Sequence, residues 1–258
     1  MSSLRLEHDG PLAVLTLDDP PLNLFDHDTM ADLAAAVDEL TAGPPRGLLM
    51  RAEGKVVSAG VDVAKVFAGL DAPRASALWA QWLAVIHRLE QLPCPTVFAA
   101  HGLTLTAAFE VALACDLLVA ARSARFGLVE RVVGLTPAMG GTQRLAARAG
   151  AARARELVMT GELYPAETLE RWNVVNRVFD DDGFGEAARG FALQIVDGPT
   201  RAHAATKRIV RSYLDGGVLR ADYAVPKAAG DLFDTEDLRD AVRSFIDRGP
   251  GHATFEGR

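Results

Sequence analysis

The chain has 258 residues, which at ~150 residues per domain gives one to two domains and ample length for a large buried core. It is 49% hydrophobic and 24% charged, a balance that excludes disorder as the main state. With 27 Lys+Arg against 34 Asp+Glu the formal charge is −7, which opposes non-specific attraction to phosphate polymers or anionic lipid, so neither nucleic acid nor membrane is expected as a partner.

Met1 to Asp9 lacks the apolar run of a signal peptide. The most apolar stretch, Val111 to Ala121, is interrupted by Asp116 and too short to span a bilayer, so a cytoplasmic location is expected. Cys94 and Cys115, each inside an apolar segment, read as buried thiols of a reduced compartment.

In chain order, Leu12 to Leu17 is rich in strand formers and is followed by the turn Asp18-Asp19-Pro20-Pro21. Asp28 is the expected cap of a helix carrying Met30, Leu33, Ala34, Val37 and Leu40 at helical spacing, with Gly43-Pro44-Pro45 as its stop. Gly47 to Arg51 is a buried strand. Pro73 suits the first turn of a long helix with Leu78, Trp82, Val85, Ile86 and Leu89 on one side, ended by Pro93 and Pro95. Thr96 to Ala100 and Leu117 to Ala120 are further strands, and Thr106 to Cys115 is an apolar helix between them. This alternation predicts an α/β fold with mostly parallel pairing. From Pro199 onward only helical periodicity remains. Its clearest member has Thr235 as cap and Leu238, Ala241, Val242, Phe245 and Ile246 as a stripe, closed by Gly249-Pro250-Gly251.

Several chemistries are unsupported by pattern. Gly140-Gly141-Thr142 lacks the lysine of a phosphate loop, and no G-x-G-x-x-G run lies between a strand and a helix. Six scattered histidines give no ligand pair, so no metal is expected. Ser58 has Val56 where a nucleophile elbow carries glycine.

Two acids stand in apolar surroundings. Glu110 lies within Ala107-Ala108-Phe109-Glu110-Val111-Ala112-Leu113, and Glu130 follows Phe126-Gly127-Leu128-Val129. A desolvated carboxylate costs free energy unless it has a partner or a purpose; pairing with an arginine such as Arg131, or capping a turn, is the structural alternative. Near them, the Ala59-Gly60 turn and the helix start at Thr106 to Ala108 offer backbone N–H groups that could converge on one oxygen and stabilise negative charge there.

Together these segments resemble a known family. The order S-A-G-V-D (Ser58 to Asp62), H-G-L-T-L-T-A-A-F-E (His101 to Glu110), C-D (Cys115-Asp116), F-G-L-V-E (Phe126 to Glu130) and G-L-T-P-A-M-G-G-T-Q-R-L (Gly134 to Leu145) is similar to that of the enoyl-CoA hydratase/isomerase, or crotonase, superfamily. The resemblance extends from P-P-L-N-L-F (Pro20 to Phe25) to Phe245 and Arg248. It implies a crotonase-like spiral of ββα units over residues 1–198, holding the CoA and catalytic sites, with a C-terminal helical trimerisation region over 199–258. It further implies a homotrimer or dimer of trimers acting in fatty acid metabolism on a CoA thioester, with no separate cofactor. By resemblance, the amides of Ala59 and Ala107 form an oxyanion hole and Glu110 and Glu130 are the catalytic pair. Leu22, Leu24, Ser58, Gly60, Val61, Asp62 and Thr106 line the substrate, and Phe245 and Arg248 approach the CoA of a neighbouring subunit.

Lys55, Lys65, Arg74 and Arg248 are candidates for the CoA phosphates. The expected reaction is hydration of a trans-2-enoyl-CoA. The alternatives are a double-bond isomerase, other acyl-CoA chemistry of the family, or a non-catalytic acyl-CoA-binding protein. This chain departs from the family at Thr106-Ala107-Ala108, where hydratases commonly carry three glycines, at Leu128-Val129 in place of Gln-Pro, at Val61 in place of a small residue, and at Asn173 in place of glycine.

Overall fold

The computed structural model describes residues 2–258, and its first element lies outside the predicted set. Leu4–Asp9 (β1) pairs antiparallel with Leu12–Leu17 (β2). Asp26 caps the helix His27–Ala42 (α1), accepting the amides of Asp28 and Thr29. The cap is therefore not Asp28, because Asp26 is the residue with the extended backbone (φ −137°) that a cap requires. Gly47–Ala52 (β3) and a short helix Val63–Phe67 (α2) follow, then Ala72–Glu90 (α3), which buries Leu78, Trp82, Val85, Ile86 and Leu89 as its periodicity predicts.

The next stretch alternates tightly: Thr96–Ala100 (β4), Leu103–Leu105 (β5), Thr106–Ala114 (α4), Leu117–Ala121 (β6), Arg125–Gly127 (β7), one 3-10 turn at Glu130–Val133, and the helices Gly141–Ala149 (α5) and Ala151–Thr160 (α6). Tyr164–Pro165 (β8), Ala166–Arg171 (α7), Arg177–Phe179 (β9) and Phe184–Val196 (α8) complete the mixed part of the chain.

Six strands form one sheet in the order β1-β2-β3-β4-β6-β9, parallel at every pair after the first, and β5, β7 and β8 form a second, smaller sheet. Successive repeats place one strand in the large sheet and the next in the small one before entering a helix, as in β4-β5-α4. That is the spiral of ββα units that the sequence resemblance implies. Because side chains alternate along a strand, Ala13, Leu15 and Leu17 face a core shared with α1, α3 and α4, whereas Leu12 and Val14 join Leu49, Val97 and Val119 under Phe184, Ala188, Ala192 and Val196 of α8.

No strand follows Phe179 among the described residues. Thr200–Gly230 (α9) is broken at Gly216 and Gly217, and Glu236–Arg248 (α10) starts at the Thr235 cap, whose hydroxyl accepts the Leu238 amide. Ion pairs fasten α9 to the core: Lys207 to Asp116 at 2.8 Å, and Arg211 to Glu90 at 2.9 Å, with Glu90 also holding Arg144 at 2.7 Å. The apolar stripe predicted for α10 does not pack inward. Val242, Phe245 and Ile246 are exposed, whereas Asp237 is buried and accepts the amides of Glu256 and Gly257, holding the C-terminal tail. No helix among the described residues is long and apolar enough to cross a membrane. Cys94 and Cys115 are buried free thiols.

Candidate active site

Three extended segments run side by side at the small sheet. Ser58 bridges Thr104 in parallel, and Thr104 and Leu105 of β5 pair in parallel with Phe126 and Gly127 of β7. Parallel register has a direct consequence: Gly60 comes to lie against Thr106, the residue that opens α4, and the chain leaving β7 at Gly127 arrives at the same end with Glu130, close enough for its carboxylate to feel the charge of Glu110. Glu110 is one helical turn beyond Ala107, on the same face of α4. Residues from three parts of the sequence thus meet where parallel strands end, the usual place for a ligand between strand ends and helix starts.

The oxyanion-hole reading is corrected at one residue. The amide of Ala59 donates to the Leu22 carbonyl at 2.9 Å and is committed to holding the 20–25 loop. Gly60 N donates to Ser58 Oγ at 3.0 Å and Asp62 N to the Phe25 carbonyl at 2.9 Å. Val61 lies between them, and its amide has no acceptor among the described residues. The free donor of this turn is therefore Val61, two residues on. Ala107, in the first turn of α4, has no intrahelical acceptor for its amide.

The two carboxylates are held in opposite ways. Glu110, 3% exposed, accepts the amides of Met139 and Gly141 at one oxygen, both at 2.8 Å. Glu130, 8% exposed, has no hydrogen-bond partner for either oxygen. Burial raises Glu110 to about 7 against the pull of those two amides and of the Arg144 charge, and burial followed by repulsion from Glu110 raises Glu130 to about 7. Donors favour the anion and their lack favours the acid, so when the pair holds one proton it sits on Glu130. The alternative of an Arg131 partner fails, since Arg131 donates to the Thr160 carbonyl.

Thr106 occupies the position where the family resemblance leads one to expect glycine, and its φ is +44°. That left-handed conformation costs a β-branched residue roughly 1–2 kcal/mol. Its hydroxyl is buried without a partner, which adds roughly 1–3 kcal/mol. Asn173 also takes positive φ, +63°, which asparagine tolerates.

The other candidates divide. Leu22 and Leu24 are in the loop that Asn23 fastens: its amide nitrogen reaches the carbonyls of Glu53, Val56 and Val57, and its oxygen accepts the Asp19 amide. Ser58 is fully buried and its hydroxyl serves Gly60, so it shapes the turn and does not face a ligand. Asp62 caps α2 by accepting the Lys65 amide. Lys65 pairs with Asp26 at 2.8 Å and Arg74 with Asp71 at 3.1 Å, whereas Lys55 forms no ion pair among the described residues. Phe245 and Arg248 are on α10, which packs against the turn at Asp231–Asp234 and not on α4; Arg248 donates to Ser244 Oγ and the His252 carbonyl. Asn23, the amides of Met139 and Gly141, and Arg144 escaped the sequence reading. Only Asn23 carried a signal, as a residue tolerant of positive φ after two prolines.

The sequence model described as enoyl-CoA hydratase/isomerase matches residues 7–258. A short-chain-enoyl-CoA hydratase of Clostridium acetobutylicum is 29% identical over 253 residues, 96% of each chain. A carnitinyl-CoA dehydratase of Salmonella heidelberg is 34% identical over 231 residues, 84% of this chain and 88% of that one. The crystal structure of an enoyl-CoA hydratase subunit I from Geobacillus kaustophilus superposes with a TM-score of 0.92 at 29% identity, covering 99% of this chain and 98% of that one.

Proposed function

This chain belongs to the enoyl-CoA hydratase/isomerase family, and on that premise we propose that it adds water across the 2,3 double bond of a trans-2-enoyl-CoA to give a 3-hydroxyacyl-CoA. The observation that carries this reading is the asymmetric pair of buried carboxylates, Glu110 held by two amides and Glu130 by none, beside two segments with free amides. Attack of water on Cβ moves negative charge to the thioester oxygen. The Val61 and Ala107 amides receive that charge, and losing one donor of this kind costs ~3 kcal/mol.

Glu110, anionic, takes a proton from the attacking water; Glu130, protonated, gives its proton to Cα. After turnover Glu110 holds the proton and Glu130 is the anion, so one proton passing between the pair or through solvent restores the starting state. Isomerisation of a 3-enoyl-CoA would use the same acids without water. Incubating the protein with trans-2-butenoyl-CoA tests the reading: loss of the conjugated absorbance with 3-hydroxybutanoyl-CoA as product is expected. Turnover of only the 3-enoyl isomer, or binding without turnover, would assign it to one of the alternative classes.

Val242, Phe245 and Ile246 form an exposed apolar face on α10, and Val218, Leu219 and Tyr223 are exposed on α9. The occupant of the α10 face is a further copy of this chain, in the homotrimer or dimer of trimers that the family resemblance implies, and this brings Phe245 and Arg248 to a neighbour's CoA. Ile246→Asp combined with Phe245→Asp is expected to shift the sedimentation velocity from trimer or hexamer to monomer. An unchanged sedimentation profile would assign that surface elsewhere.

A further inference from the structure

We propose that the Thr106 hydroxyl is a third donor to the thioester oxygen, placed beside the Val61 and Ala107 amides and touching the reacting carbonyl. The inference rests on the acyl-CoA reading given above and adds a residue to it. Three observations converge.

The first is direction. A Cβ built on Gly60 would meet Thr106 Oγ1 at 2.3 Å, nearer than Thr106 Cβ at 3.4 Å or Cγ2 at 3.5 Å. Of the threonine's side-chain atoms, the hydroxyl is thus the one turned across the gap toward the segment that carries the Val61 amide.

The second is the lack of any protein acceptor or donor to explain that direction. Gly60, its neighbour, has its amide bonded to Ser58 Oγ and its carbonyl bonded by Phe25 N at 2.8 Å. Thr106 Oγ1 is left without a partner, in a residue only 9% exposed. A hydroxyl can rotate its proton toward whichever acceptor arrives, and the acceptor that arrives between two free amides in this site is an oxygen gaining negative charge.

The third is the backbone. Thr106 holds φ +44°, where glycine would sit without strain. A strained residue with an unpaired buried hydroxyl is the pattern expected when the side chain serves a ligand and not the fold.

Thr106→Val keeps the branched shape and removes the hydroxyl, and Thr106→Ser keeps the hydroxyl. For trans-2-butenoyl-CoA, Thr106→Val is expected to lower kcat/KM about 10- to 100-fold, with the loss in kcat and KM within about threefold, because the bond strengthens as charge develops. Thr106→Ser is expected to stay within about threefold of the parent protein.

A second readout does not depend on hydration. Acetoacetyl-CoA ionises to an enolate with its own ultraviolet absorbance, and the midpoint pH of the bound ligand is expected to rise by about one unit in Thr106→Val and to hold in Thr106→Ser. If the parent protein hydrates no enoyl-CoA while this midpoint still moves, the hydratase reading falls and the third donor stands. If neither kcat nor the midpoint moves in Thr106→Val, the hydroxyl is not a donor and the proposal is overturned. Thr106→Gly, which relieves the strained φ and also lacks the hydroxyl, takes the place of the valine variant should that one fail to fold.

Discussion

Replacing Glu130 by Gln is expected to lower kcat/KM for a short trans-2-enoyl-CoA by about 10²- to 10⁴-fold while leaving the affinity for a saturated acyl-CoA within about threefold. The reason lies in what each carboxyl group can do at the start of the reaction. Burial raises both acids to about 7, but Glu110 has two amide donors and Glu130 none, so when the pair carries one proton Glu110 is the anion that accepts a proton from water. Only Glu130 can supply the proton for Cα, and a glutamine there fills the same space without an acidic hydrogen. On the proposed reading acyl-CoA binding by contrast draws on the 20–25 loop, the 58–61 turn and the start of α4, none of which the substitution touches. Full hydration by Glu130→Gln would remove Glu130 as the acid.

The same variant reports on the pair through stability. Glu130 rises from 4.5 to about 7 on folding, by burial first and by the Glu110 charge second. A group whose folded value is raised contributes stability that is complete below its unfolded value and lost as pH rises through its folded value. Both proteins should lose stability between pH 4.5 and about 7, because Glu110 is raised over that range in each, and the wild type should lose more by the share of Glu130. The difference amounts to about 3 kcal/mol at pH 8, since each unit is worth ~1.4 kcal/mol. The buried glutamine amide also lacks partners, but that cost is the same at every pH and drops out of the comparison. Urea unfolding at pH 5 and pH 8 measures it. Equal pH dependence in the two proteins would mean that Glu130 is solvated or paired in solution.

Which parts of this were legible in the sequence follows from how local the determining forces are. The strands β2, β3, β4 and β6 and the helices α1, α3 and α4 announce themselves because each buries a contiguous apolar pattern, and α10 because its apolar residues recur at helical spacing although they stay exposed. The hairpin strand β1 does not: only Leu4 and Leu6 of its six residues are apolar, and its place comes from pairing with β2. The strands β5, β7 and β8 have two or three residues each and exist through partners 20 or more positions away, so no window along the chain reveals them. The two buried carboxylates, Glu110 and Glu130, are visible as acids in apolar surroundings. The identity of the free amide is not, since Ala59 and Val61 differ only in that the Leu22 carbonyl, brought back by the Asn23 loop, bonds the first and leaves the second. Likewise, the apolar stripe of α10 was read correctly as a stripe, but periodicity is silent on whether it faces the same chain or another.

Gly60→Ala is the backbone counterpart of the Glu130 substitution, and its expected effect on rate is of similar size. Gly60 has φ +106°, a conformation L side chains rarely adopt, and the added Cβ would lie 2.3 Å from Thr106 Oγ1. The chain has two ways out: rotate Gly60 toward negative φ, or push the start of α4 away. Either displaces one of the two amides relative to the other, because Val61 follows Gly60 directly and Ala107 follows Thr106. A shift of about 1 Å at donors aimed at developing charge lowers kcat/KM by about 10²-fold or more, and the strained backbone lowers stability by about 1–2 kcal/mol. Gly10→Ala separates the two effects. Gly10 has φ +61° in the β1–β2 turn, with nothing within 4 Å of an added Cβ, so it carries the conformational cost without touching the site. Steady-state kinetics and urea melts on both variants should show destabilisation in each, larger in Gly60→Ala because of the added contact with Thr106, with the loss of rate confined to Gly60→Ala. Equal rates in the two would mean that the 58–61 turn positions no group used in the reaction.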